Sequence, residues 1–243
     1  MSLPKIRLER CEKLDGGLWR LDERQARHLV RSLRSCDGAS VEGLLPRGEG
    51  VRMLMMLDAR GGGFFLREAN QVLAEVRDSL SINLLVGLLK SDQFDAVLKA
   101  SSELGVNSIW PIVCERSVPR LSGDDAGRKT ARWQRVLDEG SKVSGDVFPP
   151  QILPPAKFED FQWDGLPGER YAAMTDPNTP RISRVRPESG RIVYAVGPEG
   201  DWSCGEAAFL IEKEFKPVSL GRRIMRASTA VIVGCGWFRL NSK

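Results

Sequence analysis

Apolar runs and helix-like stretches alternate through the second half of the chain, from about residue 78 onward. Five short apolar runs are typical of strands buried in a sheet: 82–89, 108–114, 171–174, 192–196 and 217–220. Three further stretches are predicted to be helices: 92–104, 125–142 and 228–240. Strands that alternate with helices favour right-handed crossovers. We therefore expect an α/β domain over residues 78–243, with a parallel sheet and helices on both faces.

The first 77 residues carry a different pattern. Asp22 and Gln25 suit the start of a helix, and apolar residues follow at helical spacing: Ala26, Leu29, Val30 and Leu33. Four short β-like runs come next, separated by glycine-rich turns: 39–45, 51–58, 63–67 and 71–76. Short strands with closely spaced turns predict a small β-barrel. We expect two domains, 1–77 and 78–243, joined near residues 78–81.

Two of the predicted strands end in glycine loops. The run 192–196 stops at the sequence G-P-E-G of residues 197–200, and the run 217–220 stops at Gly221. Glycine permits backbone angles and close approaches that a side chain would block. Both strand ends are predicted to reach the same edge of the sheet, which is where open α/β sheets bind ligands. The candidate site therefore lies at these loops.

A helix is predicted to begin directly after the first glycine loop. Ser203 and Glu206 have the S-x-x-E spacing of a capping box, in which each side chain bonds to the other residue's backbone N–H. Ala207, Leu210 and Ile211 follow at the spacing of one apolar helix face.

Composition narrows the function classes. The 243 residues carry a net charge of +4, five cysteines in no C-x-x-C spacing, and a single histidine, His28. A disulfide framework, a zinc site and a histidine-based catalytic triad are therefore not expected, and no metal is predicted. No apolar run reaches the roughly 20 residues of a membrane span and no signal-peptide pattern stands at the start, so we expect a cytoplasmic protein.

Arginines cluster at two places. Four share one side of the first predicted helix: Arg24, Arg27, Arg31 and Arg34. They form either a solvated polar face or a strip that contacts phosphate. Three more follow Gly221: Arg222, Arg223 and Arg226. Cations at a helix N-terminus oppose its dipole, which favours an anionic ligand there over three ordinary surface arginines.

Taken together, these motifs resemble the RsmE family, which methylates a uridine base of small-subunit ribosomal RNA and belongs to the knotted SPOUT class. The family signature is G-P-E-G-G, then S-x-x-E, then L-G-x-x-x-L-R-x-E-T-A. Residues that match it are Gly197, Pro198, Glu199, Gly200, Ser203, Glu206, Leu220, Gly221, Arg226, Thr229 and Ala230. Upstream matches are Lys90, the E-L-G-V of residues 103–106 and the E-R-S of residues 115–117.

The resemblance implies an S-adenosylmethionine-dependent enzyme acting on N3 of a uridine in 16S ribosomal RNA, with a PUA-like barrel before a trefoil-knotted sheet. It implies donor contacts by Met174, Thr175, Gly197, Pro198, Glu199, Gly200, Leu220, Gly221, Ile224 and Met225. Catalytic roles fall to Arg226 and Glu103. RNA contacts fall to Arg7, Arg27, Arg31, Arg34, Lys90, Arg116, Arg222 and Arg223. Read alone, Glu103 and Lys90 would be ordinary surface charges.

The family resemblance also implies a homodimer that forms through the helix 228–240. That placement would explain two aromatic residues near the end of the chain, Trp237 and Phe238, although both could instead belong to the core. The partner of the dimer would be ribosomal RNA or the small ribosomal subunit.

Three departures from the family pattern stand out. Ser228 replaces the glutamate of the second motif, Asp201 replaces the last glycine of G-P-E-G-G, and residues 142–146 read K-V-S-G-D where the family has E-Q-S/C-x-R. We hypothesise that Asp146 or Asp201 supplies the lost negative charge. Two alternatives stay open: methylation of another RNA base or a ribose 2′-hydroxyl, and a non-catalytic protein that binds ribosomal RNA during assembly.

Overall fold

The structure, a computed structural model, describes residues 3–32, 34–45, 50–60, 63–74, 78–119 and 123–241. They divide into two compact units. The first is Met1–Arg77 with Gly145–Phe148, and the second is Asp78–Ser144 with Pro149–Lys243. The division after Arg77 falls at the expected junction. Gly145–Phe148, which the sequence placed in the second domain, belongs to the first unit.

Buried arginine hydrogen bonds hold this returning segment. The guanidinium of Arg7 is fully buried and donates to the carbonyl oxygens of Asp146 and Val147, each at 3.2 Å. Arg52 donates to the carbonyl oxygen of Gly145 at 2.8 Å. In sequence, these arginines are separated from their acceptors by about a hundred residues or more. No local sequence pattern could therefore predict the contact.

The first unit is built on a six-stranded sheet. Its strands are β1 (Lys5–Arg7), β2 (Glu12–Leu14), β3 (Leu18–Arg20), β4 (Ser40–Leu45), β5 (Val51–Arg60) and β6 (Gly63–Ala74), and their spatial order is β1-β4-β5-β6-β3-β2. The β1–β4 pair is parallel and the other pairs are antiparallel.

One expectation about these strands was wrong, and three of the strands were not predicted. The runs 63–67 and 71–76 form one strand, because β5 has ten residues and pairs along both runs, from Arg60–Gly63 to Val51–Ala74. Three short strands precede the helix and were not predicted, since three residues are too few for an alternation to show. The predicted turn residues 46–49 and 61–62 lie outside the described residues.

The predicted helix of this unit is present. In α1 (Glu23–Arg27), the side chain of Asp22 accepts a hydrogen bond from the Gln25 backbone N–H at 2.6 Å, which caps the helix. A π-helical turn, His28–Ser32, continues it. Ala26 and Leu29 are buried, as their spacing predicted, whereas Leu33 lies outside the described residues.

The second unit is a parallel α/β sheet. Its strands are β7 (Ser81–Gly87), β8 (Ser108–Val113), β9 (Gln151–Ile152), β10 (Ala156–Lys157), β11 (Glu169–Ala173), β12 (Arg191–Val196) and β13 (Lys216–Val218). The order is β10-β8-β7-β12-β11-β13, with β9 also paired to β8. Every pair is parallel, as predicted. The two-residue strands β9 and β10 were not predicted.

Within the described residues, this sheet is covered by the helices α2 (Ser91–Glu103), α3 (Gly123–Ser144), α4 (Cys204–Glu212) and α5 (Ala227–Asn241). On β12, Tyr194 packs into one core cluster with Phe94 of α2 and Phe238 of α5, while Val193 packs into the other with Leu210 of α4. Helices therefore lie on both faces, as expected. None of the helices within the described residues is both long and apolar enough to cross a membrane.

The start of α4 follows its sequence signature. Ser203 Oγ accepts from the Glu206 N–H at 3.3 Å, and Glu206 accepts from the Ser203 N–H at 2.9 Å, so both halves of the capping box form. Leu210 is fully buried, but Ile211, expected on the same face, is 55% exposed. At about 100° per residue, Ile211 points well away from Leu210 and past the edge of the core.

Helix α5 crosses very close to the central strand β12. A Cβ placed on Gly234 would lie 2.2 Å from the ring of Tyr194, and the Tyr194 hydroxyl donates to the carbonyl oxygen of Ala230 at 3.1 Å. Any side chain at position 234 would push the helix away. This contact sets the N-terminal end of α5 beside the carboxyl edge of the sheet.

Candidate functional site

Three loops at the carboxyl edge of β11, β12 and β13 surround a cavity of about 500 Å³. Eight of the ten residues expected to contact the donor line it: Met174, Thr175, Gly197, Pro198, Leu220, Gly221, Ile224 and Met225. Glu199 and Gly200 do not line it. Seven polar residues that were not among those ten also line it: Asp176, Thr179, Arg181, Asp201, Ser219, Arg222 and Arg223. The sequence signal that could have identified Asp176 is the Asp176-Pro177 turn directly after β11.

The loop after β12 is held by hydrogen bonds from Arg116 and by the indole of Trp202. Arg116 donates from Nη1 to the carbonyl oxygens of Gly200, at 3.1 Å, and Trp202, at 3.3 Å. The indole N–H of Trp202 donates to the carbonyl oxygen of Ala173 at 3.2 Å. Arg116 was predicted to contact RNA. In the structure its guanidinium is engaged by backbone oxygens of the cavity loop.

A buried carboxylate reinforces the same region. Glu206 uses one oxygen for the capping box and the other to accept from the Glu115 N–H, at 2.8 Å. The E-R-S segment after β8 is thereby tied to the loop after β12. The side chain of Arg116 makes part of this packing, whereas Glu115 contributes only its backbone N–H.

The loops after β11 and β13 are also joined by hydrogen bonds. The backbone N–H of Met174 donates to the carbonyl oxygen of Val218, and the N–H of Ile182 donates to that of Ser219. Gly221 has a φ of +153°, which an L side chain rarely adopts. The second glycine loop therefore has a conformation that depends on glycine.

These residues fit the expected S-adenosylmethionine. The cavity volume lies within the range of small-molecule sites. Met225 and Leu220 offer apolar surface to a purine ring, while the Asp176 carboxylate is an acceptor that suits ribose hydroxyls or an ammonium group. The exposed side chain of Ile224, at 83%, stands where a ligand would cover it.

A second cavity, also of about 500 Å³, adjoins the first. The two share five lining residues: Thr175, Pro198, Asp201, Ile224 and Met225. The second also contains Lys90, Glu199 and Arg226, three residues that the family resemblance singled out. Glu199 accepts a hydrogen bond from the Lys90 backbone N–H at 2.9 Å. Its structural role is thus to join the ends of β7 and β12.

Asp92 and Gln93, at the start of α2, line this second cavity, and Gln93 is hydrogen-bonded to the start of α5. Ser228, which stands in place of the family glutamate, is buried and donates to Gln93 Oε1 at 2.8 Å. The Gln93 side-chain amide in turn lies 3.4 Å from Asp92 Oδ2. Hydrogen bonds from the Gln93 side chain and backbone lower the pKa of Asp92, so this carboxyl stays charged. Ser228 and Gln93 therefore link the two helix starts.

The cations around the site are exposed. Among the described residues, the guanidinium groups of Arg222, Arg223 and Arg226 have no hydrogen-bond or ion-pair partner. Arg222 and Arg223 line the first cavity and Arg226 lines the second. Unpaired arginines at a cavity rim are available to an anionic ligand.

The placement of Glu103 contradicts the catalytic role given to it. It is the last residue of α2, whereas both cavities lie at the other end, where Lys90 and Gln93 are. Thirteen helical residues put the two ends about 18 Å apart at about 1.5 Å per residue. The E-L-G-V motif instead serves packing, since the Arg239 guanidinium donates to the carbonyl oxygens of Leu104 and Gly105.

Arg7 and Asp146 also differ from expectation. Arg7 is buried by the hydrogen bonds described above, so it presents no surface to RNA. Asp146 belongs to the first unit and its carboxylate accepts from the Phe148 N–H at 2.8 Å, so it lines neither cavity. The remaining arginines of the first unit, Arg27, Arg31 and Arg34, are exposed, and Arg27 pairs with Glu23.

No cluster of His, Cys, Asp and Glu residues able to hold a metal ion occurs within the part of the chain that the structure describes. Burial raises the pKa of the Cys235 thiol to about 12. That thiol is packed in the core and is not a nucleophile of this site.

Comparison with known proteins gives concordant matches. The RNA methyltransferase domain family matches residues 76–239. Ribosomal RNA small subunit methyltransferase E of Synechocystis is 32% identical over 205 residues, which are 78% of this chain and 65% of that relative, slightly under two thirds of its length. A second protein of this name, methyltransferase E 2 of Borreliella burgdorferi, is 28% identical over 74% of each chain.

Two solved structures share the fold along the whole chain. Methyltransferase E of Neisseria gonorrhoeae, solved with S-adenosyl methionine bound, superposes with a TM-score of 0.84 at 26% identity, covering 98% of both chains. A methyltransferase of Legionella pneumophila, also with the cofactor bound, superposes with a TM-score of 0.87 at 21% identity, covering 100% of this chain and 99% of the other. The second likeness shows the fold alone.

Proposed function

The chain belongs to the RsmE family of RNA methyltransferases, and from that membership we propose that it methylates N3 of a uridine in small-subunit (16S) ribosomal RNA, with S-adenosylmethionine as donor. The observation that carries the proposal is the pair of adjoining cavities at the carboxyl edge of the second unit. One has the size and lining of a donor site. The other offers cationic and acidic groups to a polar base.

The donor is assigned to the first cavity. When bound, S-adenosylmethionine supplies an electrophilic methyl group attached to a sulfonium. The three loops would hold it through their backbone N–H and carbonyl groups and through the apolar surfaces of Leu220, Ile224 and Met225. The chain's contribution is to hold donor and base in one orientation, which can account for several kcal/mol of the barrier.

The finer features of the fold are part of this proposal. We expect the loops 174–177, 197–200 and 220–226 to form the trefoil knot of the SPOUT class. We expect the six-stranded first unit to be a PUA-like barrel that binds RNA through exposed arginines such as Arg27, Arg31 and Arg34. Arg222, Arg223 and Lys90 would contact RNA beside the cavities. An affinity for RNA that falls steeply with salt would support these phosphate contacts.

The homodimer is assigned to α5. Ile232 and Leu240 of this helix are 45% and 84% exposed, and apolar groups exposed on one helix favour a partner. Trp237 is half-buried, whereas Phe238 is fully buried and belongs to the core. Analytical ultracentrifugation would test the dimer, and Leu240→Glu should produce a folded monomer. A cytoplasmic location remains a prediction.

Donor binding can be tested first by calorimetric titration of the purified protein with S-adenosylmethionine. Gly221→Val should abolish saturable binding, because position 221 has a φ of +153°. Gly197→Val should do the same, since even a Cβ there would lie 3.2 Å from the Trp202 nitrogen. Gly127→Val is the matched control, because a Cβ on Gly127 meets nothing within 4 Å.

The reaction itself is tested by transfer of a labelled methyl group to 16S ribosomal RNA or small subunits, followed by mapping of the modified nucleotide. Methylation at uridine N3 would support the proposal. Methylation of another base or of a ribose would overturn the target. Donor binding with no methylation of any RNA would favour a non-catalytic RNA-binding protein. The feature that supports this alternative is Ser228, which replaces the family glutamate.

A further inference from the structure

We propose that Asp201 is the catalytic residue that accepts the N3–H of the target uracil, and that the second cavity takes this base. The inference rests on the proposed function and names the groups that act within it. Asp201 lines both cavities. Of the five residues that the cavities share, it alone carries a titratable side chain. A group at this position touches both the donor side and the base side.

The backbone of Asp201 has an uncommon conformation that fixes where its carboxylate lies. Asp201 has a φ of +61°, a left-handed conformation that favours glycine and is otherwise adopted most readily by Asn and Asp. In this conformation the Asp201 side chain reaches Thr175 in the loop after β11 and lines both cavities. Asp201 N–H donates to the carbonyl oxygen of Pro198 at 3.0 Å, which closes the turn.

The carboxylate is oriented by two hydrogen bonds. Oδ1 accepts from the backbone N–H of Trp202 at 2.8 Å, and Oδ2 accepts from the Thr175 hydroxyl. Each carboxylate oxygen has a second lone pair. Asp201 can therefore accept one more hydrogen bond without giving up the contacts that hold it.

The other acids of the second cavity, Glu199 and Asp92, do not line the first cavity, so they have no access to the donor side. Glu199 accepts from the Lys90 backbone N–H, and Asp92 is bound to Gln93. The cavity also offers two hydrogen-bond donors. The guanidinium of Arg226 has no partner among the described residues, and the Lys90 ammonium forms no hydrogen bond with them. The cavity thus combines two cationic hydrogen-bond donors with an oriented acceptor, Asp201, that also lines the first cavity.

This combination is complementary to uracil. The N3 edge of uracil presents an acceptor, a donor and an acceptor, namely O2, N3–H and O4. Lys90 and Arg226 can donate to the two carbonyl oxygens, and Asp201 can accept from N3–H. Cytosine has no hydrogen on N3, so it would leave the Asp201 carboxylate facing a lone pair.

The chemical step balances with Asp201 as general base. The N3–H proton passes to an Asp201 carboxylate oxygen, and the N3 electron pair forms the new bond to the methyl carbon. The bond from that carbon to sulfur breaks, and its electron pair stays on sulfur. The proton on N3 becomes more acidic as the new bond forms, which lets a carboxylate accept it.

The test uses Asp201→Asn and Asp201→Gly in the full-length protein, with Asp160→Asn, an exposed acid outside both cavities, as control. Both Asp201 variants should bind S-adenosylmethionine within about threefold of the wild type, by calorimetry. Their single-turnover methylation rate should fall by roughly 100-fold or more, the usual effect of losing a general base.

A second readout needs no donor. In competition binding without S-adenosylmethionine, the wild-type protein should prefer an RNA containing uridine over the same RNA containing 3-methyluridine. Asp201→Gly should lose most of that preference, because the acceptor of N3–H is gone. Asp160→Asn should keep it.

The outcomes separate the two proposals. Wild-type rates in both Asp201 variants, or an unchanged uridine preference in Asp201→Gly, would overturn the role of Asp201 while leaving the methyltransferase intact. A wild-type protein that methylates no RNA would overturn the proposed function. The donor-free preference would then still decide whether Asp201 recognises N3–H.

Discussion

Gly87 lies directly against Pro198, so that a Cβ on Gly87 would be 2.4 Å from the Pro198 nitrogen and 2.9 Å from the Gly197 carbonyl carbon. Real Cβ atoms do not approach backbone so closely. The end of β7 and the loop after β12 can therefore meet only because residue 87 has no side chain. This contact positions Gly197 and Pro198 in the wall of the first cavity, which we propose binds the donor.

Gly87→Ala should accordingly disturb the donor site. The added methyl group must push the loop after β12 away, and we expect the calorimetric Kd for S-adenosylmethionine to rise at least tenfold, with a lower Tm. Gly127→Ala is the control, because its Cβ would meet nothing within 4 Å and alanine favours the helix. Unchanged donor affinity in a folded Gly87→Ala protein would show that the loop adapts and that this contact does not position it.

Arg116→Ala should weaken donor binding in the absence of RNA. The guanidinium holds two carbonyl oxygens of the cavity loop, and the loss of such hydrogen bonds costs about 1 kcal/mol or more, which is roughly fivefold or more in Kd if the loop loosens. Arg128→Ala, an exposed arginine paired with Asp125, should leave the Kd unchanged. If Arg116 acted only on RNA, the donor Kd of Arg116→Ala would match the wild type.

Glu103→Ala should methylate RNA at a rate within about twofold of the wild type. Its side chain is exposed at the far end of α2 and lines neither cavity, and surface substitutions of this kind usually change stability by no more than about 0.5 kcal/mol. The rate is measured with saturating donor and RNA. A loss of 100-fold or more would restore the catalytic role that the family resemblance suggested.

The stability of the protein in acid should depend on Glu169. Burial by itself raises the pKa of this carboxyl, but hydrogen bonds from the Tyr171 hydroxyl, the Ser189 N–H and the Lys216 ammonium, among others, outweigh it and bring the pKa to about 2. Because the folded-state pKa is depressed below about 4.5, the contribution is complete above that pH and is lost as the pH falls toward 2. It amounts to about 3 kcal/mol at most.

Glu169→Gln should therefore be less stable than the wild type at pH 7, and the difference should shrink between about pH 4.5 and 2. Urea unfolding at a series of pH values measures it. Glu159→Gln, an exposed carboxylate 3.9 Å from Lys157, should track the wild type throughout. A constant difference between Glu169→Gln and the wild type across this range would contradict the assigned pKa.

Local patterns were sufficient for the α-helices of the second unit and for its strands of three or more residues, but not for the two-residue strands β9 and β10. The runs that became β7, β8, β11, β12 and β13 are apolar because both faces of a parallel sheet are covered, and the capping box at Ser203 and Glu206 depends on neighbouring residues alone. The first unit was less predictable. Its strand β6 is continuous only because the partner strand β5 is equally continuous, and the sequence of β6 alone does not reveal its partner.

The sequence by itself determined the family, the parallel α/β sheet and most of the donor cavity, because the two glycine loops directly follow predicted strands and parallel strands end at one edge. Only the tertiary structure decided the roles that depend on distant partners. It buried Arg7 against Asp146 and Val147, turned Arg116 toward the cavity loop, and put Glu103 at the wrong end of α2 for catalysis. It also placed Asp201 where two cavities meet, because loops from separate strands converge there.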